Sequence, residues 1–354
     1  MQEKKRVSIL TFPRAINYGA VLQAVALAKK LENSNAEVVF LDHYCESVEK
    51  DNKLFDFGRL RDIKYVIAHV LNMPIAIVRK KRFRRFQNKH MKFVKSTANT
   101  DIIVVGSDQV WNYNLTGNDW FYFLNQSDTE YKKVAYAASF GISTVAQEYQ
   151  DVLRPFLNDF DYIAVREETA VNIIKKIINK NIPLVLDPTL LLTPKQWKQI
   201  IRYKEIDDSY IFVYTVHRSN ELWDFAYFLS REFNLPIKTV SSSVFHNYRA
   251  KTCFAASPEK WLELLSNAEY VVTNSFHGLA FSLNFNKQVY YEVSVKGGDV
   301  GSRLVDMADR YEISNQEISR NWKSFSKINY DKVNVSIEDD RKKSEKYIDS
   351  FLEN

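Results

Sequence analysis

One repeating alternation constrains this chain more than any other feature: a short apolar run, a polar loop carrying Gly, Asn, Ser or Asp, then a helix-forming stretch. Val7–Phe12 leads through the loop PRAINYGA into VLQAVALAKKLEN, and Glu37–Asp42 (EVVFLD) supplies the next run. Runs without polar alternation, separated by helices, specify βαβ units and a parallel sheet covered on both faces. The series continues with strands at Asp101–Gly106, Lys133–Ser139 and Tyr162–Arg166, a helix from Glu167 to Ile178, and a closing strand at Pro183–Asp187. Pro188 and Pro194 then mark a change of direction. A second series follows: strand Tyr210–Thr215, helix Asn220–Glu232, strand Ile237–Val240, helix Ser257–Leu265, strand Glu269–Thr273, a helix from Gly278 and strand Gln288–Glu292. Ser257 and Pro258 suit the N-cap and first position of their helix. A chain of 354 residues exceeds what one core usually serves. The expected fold is therefore α/β, with an N-terminal domain over 1–195 and a C-terminal domain over 196–335. A helix over 336–354 is expected to pack back on the N-terminal domain through Tyr347, Ile348, Phe351 and Leu352. Two open, doubly wound units place a ligand in the cleft at the carboxyl ends of their strands.

Composition removes several function classes. The two cysteines, Cys45 and Cys253, are far apart and have no Cys or His partner at ligand spacing. Neither a zinc site nor a disulfide framework is expected, and a reducing compartment fits. The start of the chain lacks a signal-peptide core, and no run reaches the roughly 18 apolar residues of a spanning helix. A cytoplasmic location is expected. No GxxxxGK[ST], no GxGxxG after the first strand and no GxSxG occurs. No metal and no cofactor is expected. The segment Arg79–Lys95 carries nine Lys or Arg and no acid, and it outweighs a net acidic remainder. It reads either as a solvated helix with Phe83, Phe86 and Phe93 in the core, or as an amphipathic basic helix touching a membrane surface or lipid carrier. No nucleic-acid motif accompanies it.

Three strand-to-helix turns concentrate the groups that can do chemistry. In EYVVTNSFHGLAF, Asn274, Ser275, His277 and Gly278 stand where a strand ends and a helix begins. A helix N-terminus favours an anion, glycine allows close backbone approach, and histidine exchanges protons near neutral pH. In VVGSDQVWN, Ser107, Asp108 and Gln109 can bond sugar hydroxyls and Trp111 can stack on a sugar ring, unless Trp111 is core. The loop RAINYG offers Asn17, Tyr18 and Gly19 in the same position after the first strand. Arg166 at a strand end and Arg303 after a glycine-bearing stretch are suited to carboxylate or phosphate.

The ordered blocks NYGAVLQAVAL (17–27), VVGSDQVWN (104–112), YAASFG (136–141), AVREE (164–168), DPTLLL (187–192) and VVTNSFHGLAFSL (272–283) resemble the polysaccharide pyruvyl transferase family. The resemblance implies a GT-B-like fold of two Rossmann-like domains facing a central cleft. It implies phosphoenolpyruvate as donor and a sugar of a surface polysaccharide, often lipid-linked, as acceptor. His277 matches the family's leading catalytic histidine, and Arg166 matches an arginine that would hold the donor. Some members carry an arginine two residues before the histidine; here Ser275 stands there, and Asn274 replaces an Asp. The donor's charge is then expected to fall to Arg303 or Lys296, beside Asn274, Ser275 and Gly278. Asp108 is expected to take the acceptor's proton, and Asn17, Tyr18, Gly19, Ser107, Gln109 and Trp111 to face the acceptor. Two other readings stay open: a GT-B glycosyltransferase using a nucleotide sugar, and a non-catalytic polysaccharide-binding subunit.

Overall fold

The computed structural model describes residues 4–50, 63–126, 130–293, 301–320 and 325–353. The first part runs β1 (Arg6–Leu10), α1 (Tyr18–Asn33), β2 (Glu37–Leu41), α2 (Glu46–Lys50), α3 (Ile63–His90), β3 (Phe93–Val94), β4 (Ile102–Val105), α4 (Tyr113–Thr116), β5 (Lys132–Ala138), α5 (Gln147–Asn158), β6 (Tyr162–Val165) and α6 (Glu168–Ile178). The second runs α7 (Pro188–Leu191), α8 (Pro194–Ile201), β7 (Ile211–Tyr214), α9 (Asn220–Glu232), β8 (Ile237–Ser241), β9 (Lys251–Phe254), α10 (Pro258–Asn267), β10 (Tyr270–Thr273), α11 (Phe276–Asn284), β11 (Gln288–Tyr291), α12 (Ser302–Arg310) and α13 (Tyr330–Glu353).

All pairings within the two sheets are parallel. The first has the order β3-β2-β1-β4-β5-β6 and the second β11-β10-β7-β8-β9. Counted from its own first strand, each sheet grows outward in one direction and then restarts on the other side. That is the doubly wound Rossmann arrangement. Central strands such as Ile102–Val105, Ile211–Tyr214 and Tyr270–Thr273 are buried throughout, which is why their sequences are unbroken apolar runs.

The two units share one apolar seam. Tyr18 of α1 stacks on Trp261 of α10 with ring centroids 5.3 Å apart, and its hydroxyl donates to the Ala256 carbonyl at 3.1 Å. Within the second part, Asn284 of α11 donates to the carbonyls of Thr189 and Leu192 and ties α11 to the α7 segment. The helix α13 returns to the N-terminal unit: Ile348 and Phe351 are fully buried, and the Tyr347 hydroxyl donates to the Ala135 carbonyl on β5.

One expected strand is absent, one strand was not expected, and the basic segment follows one of its two readings. Pro183–Asp187 is not a strand; only Leu184 bridges β6, through two bonds, from the Val165 N–H to the Pro183 carbonyl and from the Val185 N–H to the Val165 carbonyl. The next amide, of Leu186, points to the other side and donates to the Ser344 hydroxyl of α13, so the C-terminal helix covers that edge. β9 had no clear signal, because its residues Lys251–Phe254 lie at a half-exposed sheet edge. In the basic segment, Phe83 and Phe86 are 0% and 1% exposed. They form part of the core, so they give this segment no apolar face toward a membrane.

Candidate functional site

The two switch points, between β1 and β4 in one sheet and between β10 and β7 in the other, open onto a common cavity of about 750 Å³. Its walls come from the loops after those strands: Asn17 after β1, Asp108, Gln109 and Asn112 after β4, Val216 and His217 after β7, and Asn274 to His277 after β10. Arg79 and Lys80 of α3 and Arg303 of α12 complete the lining on the basic side. In open α/β sheets this crevice is where ligands sit.

The turn after β10 is built by capping. Ser275 is the N-cap of α11, and its hydroxyl accepts from the Gly278 amide at 3.2 Å. The helix begins at Phe276, two residues earlier than expected, so His277 lies inside its first turn. Gly278 is required because a Cβ there would meet the Thr273 hydroxyl oxygen at 2.4 Å. The Asn274 side chain accepts from the Val216 amide at 2.9 Å and donates to the His217 carbonyl and to Glu292 at 3.0 and 3.2 Å. It ties three loops together and has its polar atoms occupied.

Behind the histidine sits a buried cluster of charge. Arg166 donates to Asp187 at 2.7 Å, to Glu167 at 3.3 Å and to Asp108 at 3.4 Å, with its guanidinium 4.6 Å from the Phe276 ring centre. Its side chain is fully buried and does not line the cavity that holds His277. The structure places Arg166 as the hub of a carboxylate cluster, each of its three guanidinium nitrogens bonded to an acid. Burial opposes its charge, but Asp187, Glu167 and Asp108 outweigh that and raise its pKa. For Asp187, burial pushes upward, while His277, Arg166 and the Thr189 hydrogen bonds hold the carboxyl below the usual carboxylate range. Burial lowers the pKa of His277, against the pull of Asp187 and Asp108.

Three buried nitrogens on cavity-lining residues lack hydrogen-bond partners: Nε2 of His277, Nε of Arg303 and, on α3, Nε of Arg79. The nearest acid to the first is Asp187, at 3.7 Å, an ion-pair separation too long for a hydrogen bond. Arg303 is 5% exposed, and burial together with Arg166 lowers its pKa to about 10, so it remains a cation at neutral pH. A pair of unpartnered buried nitrogens beside a helix N-terminus suits an anionic ligand.

The remaining expected site residues divide by position. Asn17 caps α1, accepting from the Ala20 amide at 3.2 Å, and lines the cavity with Asp108 and Gln109. Asp108 has φ of 78°, an uncommon backbone state for a residue other than glycine, and accepts from the Gln109 amide at 2.9 Å. Ser107 is fully buried and donates to Gln23 at 2.6 Å, away from the cavity. Trp111 is fully buried, stacks on Phe123 and donates its indole N–H to the Tyr122 carbonyl, so no ring face is left for a sugar. Tyr18 belongs to the seam between the units and not to the acceptor side. Lys296 lies outside the described residues. The sequence blocks include Asp187 within DPTLLL and Asn112 within VVGSDQVWN without a role, and the basic segment Arg79–Lys95 reads as surface, not as a source of the cavity residues Arg79 and Lys80. No pattern in one sequence marks Arg79, Lys80 or Asn112 as cavity residues, since each is brought there by packing.

Gly19 carries a sharper constraint. A Cβ at this position would lie 2.0 Å from Nδ1 of His277. The first turn of α1 therefore fixes how far the imidazole can retreat. We expect Gly19→Ala to keep the fold, since alanine is a good helix residue, and to lower turnover roughly 100-fold by displacing the ring by about 1 Å. Paired thermal melts and steady-state kinetics check this; unchanged turnover would remove His277 from the reaction.

Two Rossmann-type units meeting at their switch points around one cavity define a chain of the GT-B class. Solved structures of similar overall path include Arabidopsis thaliana UGT89C1 complexed with UDP-L-rhamnose, at 10% identity and a TM-score of 0.48, over 99% of each chain. The S. aureus MnaA-UDP co-structure matches at 13% identity and a TM-score of 0.47, over 98% of this chain and 90% of that one. A UDP-GlcNAc 2-epimerase of Methanocaldococcus jannaschii matches at 16% identity and a TM-score of 0.42, over 95% and 99%. Likeness at this level carries nothing about ligands. A search of curated proteins finds no match. The sequence profile of the polysaccharide pyruvyl transferase family matches residues 17–291, and the chain belongs to that family.

Proposed function

We propose that this chain transfers the enolpyruvyl unit of phosphoenolpyruvate to a sugar as a cyclic ketal, during synthesis of a surface polysaccharide, with a lipid-linked sugar as acceptor. The observation that carries the reading is the pair of unpartnered buried nitrogens, His277 Nε2 and Arg303 Nε, beside the α11 N-terminus. A phosphorylated carboxylate supplies the anionic oxygens these groups lack. Arg303, Lys80 and Arg79 supply cations to the cavity wall, with Ser275 able to donate its hydroxyl proton.

In this scheme His277 takes up a proton when the donor's negative charge arrives. It delivers that proton to the methylene carbon of the donor, which becomes the methyl group. The adjacent carbon becomes cationic and is attacked by one sugar hydroxyl, whose proton passes to Asp108. Phosphate then leaves, and a second hydroxyl adds to the same carbon and closes the ring, its proton passing to His277, which is neutral after the first step. Arg303 and the helix N-terminus hold charge in place through these steps, which is electrostatic preorganisation. Arg166 acts one layer back, by holding Asp108 and Asp187 in position.

Phosphate release from phosphoenolpyruvate tests the reading, measured over a panel of simple and lipid-linked β-galactosides and β-mannosides. Acceptor-dependent release is expected. Arg303→Met should weaken donor binding roughly 10- to 100-fold, the loss of one charge-assisted contact. Release of a nucleoside diphosphate from a nucleotide sugar, with no binding of phosphoenolpyruvate, would overturn the proposal.

A further inference from the structure

The long helix α3 carries a surface that the reaction does not use. Its first half, Val66–Val78 (VIAHVLNMPIAIV), is apolar apart from His69 and Asn72, and it is not buried. Ile67, Val70, Leu71 and Val78 are 55%, 53%, 50% and 41% exposed. Ile67, Leu71, Pro74 and Val78 follow helical spacing, and the same exposed stripe continues into Lys81 and Arg85. One face of a single helix thus passes from apolar to cationic. Over Ile67 to Val78 it extends about 16 Å.

The stripe is widened by the other unit. The amide of Val244 donates to the Asn72 side chain at 2.7 Å, which seats the loop after β8 beside α3. That loop exposes Val244, Phe245 and Tyr248 at 37%, 60% and 83%. No Asp or Glu occurs from Ile63 to Lys95 or from Ser242 to Lys251. The opposite side of α3 faces the cavity through His69, Ala76, Arg79 and Lys80. The surface therefore borders the cavity from outside.

From this geometry we propose that the face formed by α3 and the Val244–Tyr248 loop docks on an anionic phospholipid bilayer. The apolar half is too short to cross a bilayer, and among the described residues no helix is long and apolar enough to do so. An amphipathic segment with aromatic and aliphatic side chains flanked by Lys and Arg is suited to the interface, and its basic half is attracted to anionic headgroups. A second copy of the chain fits less well, because two acid-free basic faces repel. The docking corrects the sequence expectation on one point. The apolar contact comes from Ile67, Leu71 and Phe245, while Phe83 and Phe86 of the basic segment are core. Docked this way, the cavity wall made by α3 lies at the lipid surface.

Co-sedimentation of the full chain with vesicles tests this, comparing phosphatidylglycerol–phosphatidylcholine mixtures with phosphatidylcholine alone, at low and high salt. Binding to the anionic vesicles, weakened by salt, is expected. The apolar variant Ile67→Ser/Leu71→Ser/Phe245→Ser and the charge variant Lys81→Glu/Arg85→Glu should each lower binding at least tenfold. A distant control, Val335→Ser, should not. Thermal melts of each variant show whether it remains folded. The proposal is overturned if the folded wild type ignores anionic vesicles or if both variants bind as it does. It is also overturned if the wild type is a dimer in vesicle-free solution that the apolar variant splits, which would assign the face to a second copy. Vesicle binding is read without turnover, so its failure leaves the transfer reaction standing, and failure of the transfer reaction leaves it standing in turn.

Discussion

His277→Ala lowers turnover by roughly 1000-fold and leaves the protein folded, as expected for loss of a proton-transferring group. The expectation rests on where the ring is held. Its Nε2 is buried, unpartnered and 3.7 Å from Asp187, and its other edge is pressed against Gly19. Burial lowers its pKa below the ordinary 6.5, so the resting ring is neutral at pH 7. A multiply charged donor reverses that balance and draws a proton onto it. Donor binding should therefore weaken as pH rises from 6 to 8, and the variant should lack this histidine's share of the slope. The donor's own phosphate titrates too, so the difference between wild type and His277→Asn isolates the imidazole. Calorimetry in buffers of different ionisation enthalpy counts the proton directly. The same group acts on stability with a definite sign. Below pH 6.5 the unfolded chain binds a proton that the native one refuses, so native stability falls as pH drops from 6.5 toward the lowered folded value. His277→Asn removes that part of the loss. Near-normal turnover in either variant would sink the mechanism.

The fold was legible because parallel strands buried on both faces leave uninterrupted apolar runs, and nearly every such run became a strand. The failures share a cause. Pro183–Asp187 has a strand's composition, but it meets β6 only at Leu184, and on its other side the Leu186 amide donates to the Ser344 hydroxyl of a helix more than 150 residues later. Trp111 and Tyr18 have residue types that suit sugars, yet one packs against Phe123 and the other against Trp261. An aromatic ring near a loop is consistent with either outcome until the neighbours on its two faces are known. The turn at Asn274–Gly278 was legible because capping, close packing and an ionisable group fall within five consecutive residues. The charge cluster was not, since Asp108, Arg166 and Asp187 come from three loops and only the fold brings them together.

That cluster sets the largest expected effect on stability, and it decides what Arg166 is for. If Arg166 mainly held the donor, Arg166→Met would raise donor KM and leave the melting temperature unchanged. The geometry predicts the reverse order of effects. Its guanidinium is bonded to Asp187 and Glu167, both almost fully buried, and to Asp108 at the cavity wall. Methionine fills a similar volume and leaves three carboxylates without their cation, at a cost of about 3–5 kcal/mol. For a unit of this size that lowers the melting temperature by roughly 10 °C. Asp187 supplies the pH signature. Its pKa is held low in the native state, so its stabilising share is present above the ordinary carboxylate value and is lost as pH falls through the lowered one. Without Arg166 the buried Asp187 carboxylate gains by taking up a proton. The gap in stability between wild type and Arg166→Met is thus widest at pH 7 and narrows toward pH 4. Adding Asp187→Asn to Arg166→Met removes one of the stranded charges and should recover part of the loss, a coupling that a double-mutant cycle reads directly. Additive losses, with no recovery and no narrowing in acid, would mean that the three acids do not depend on this arginine.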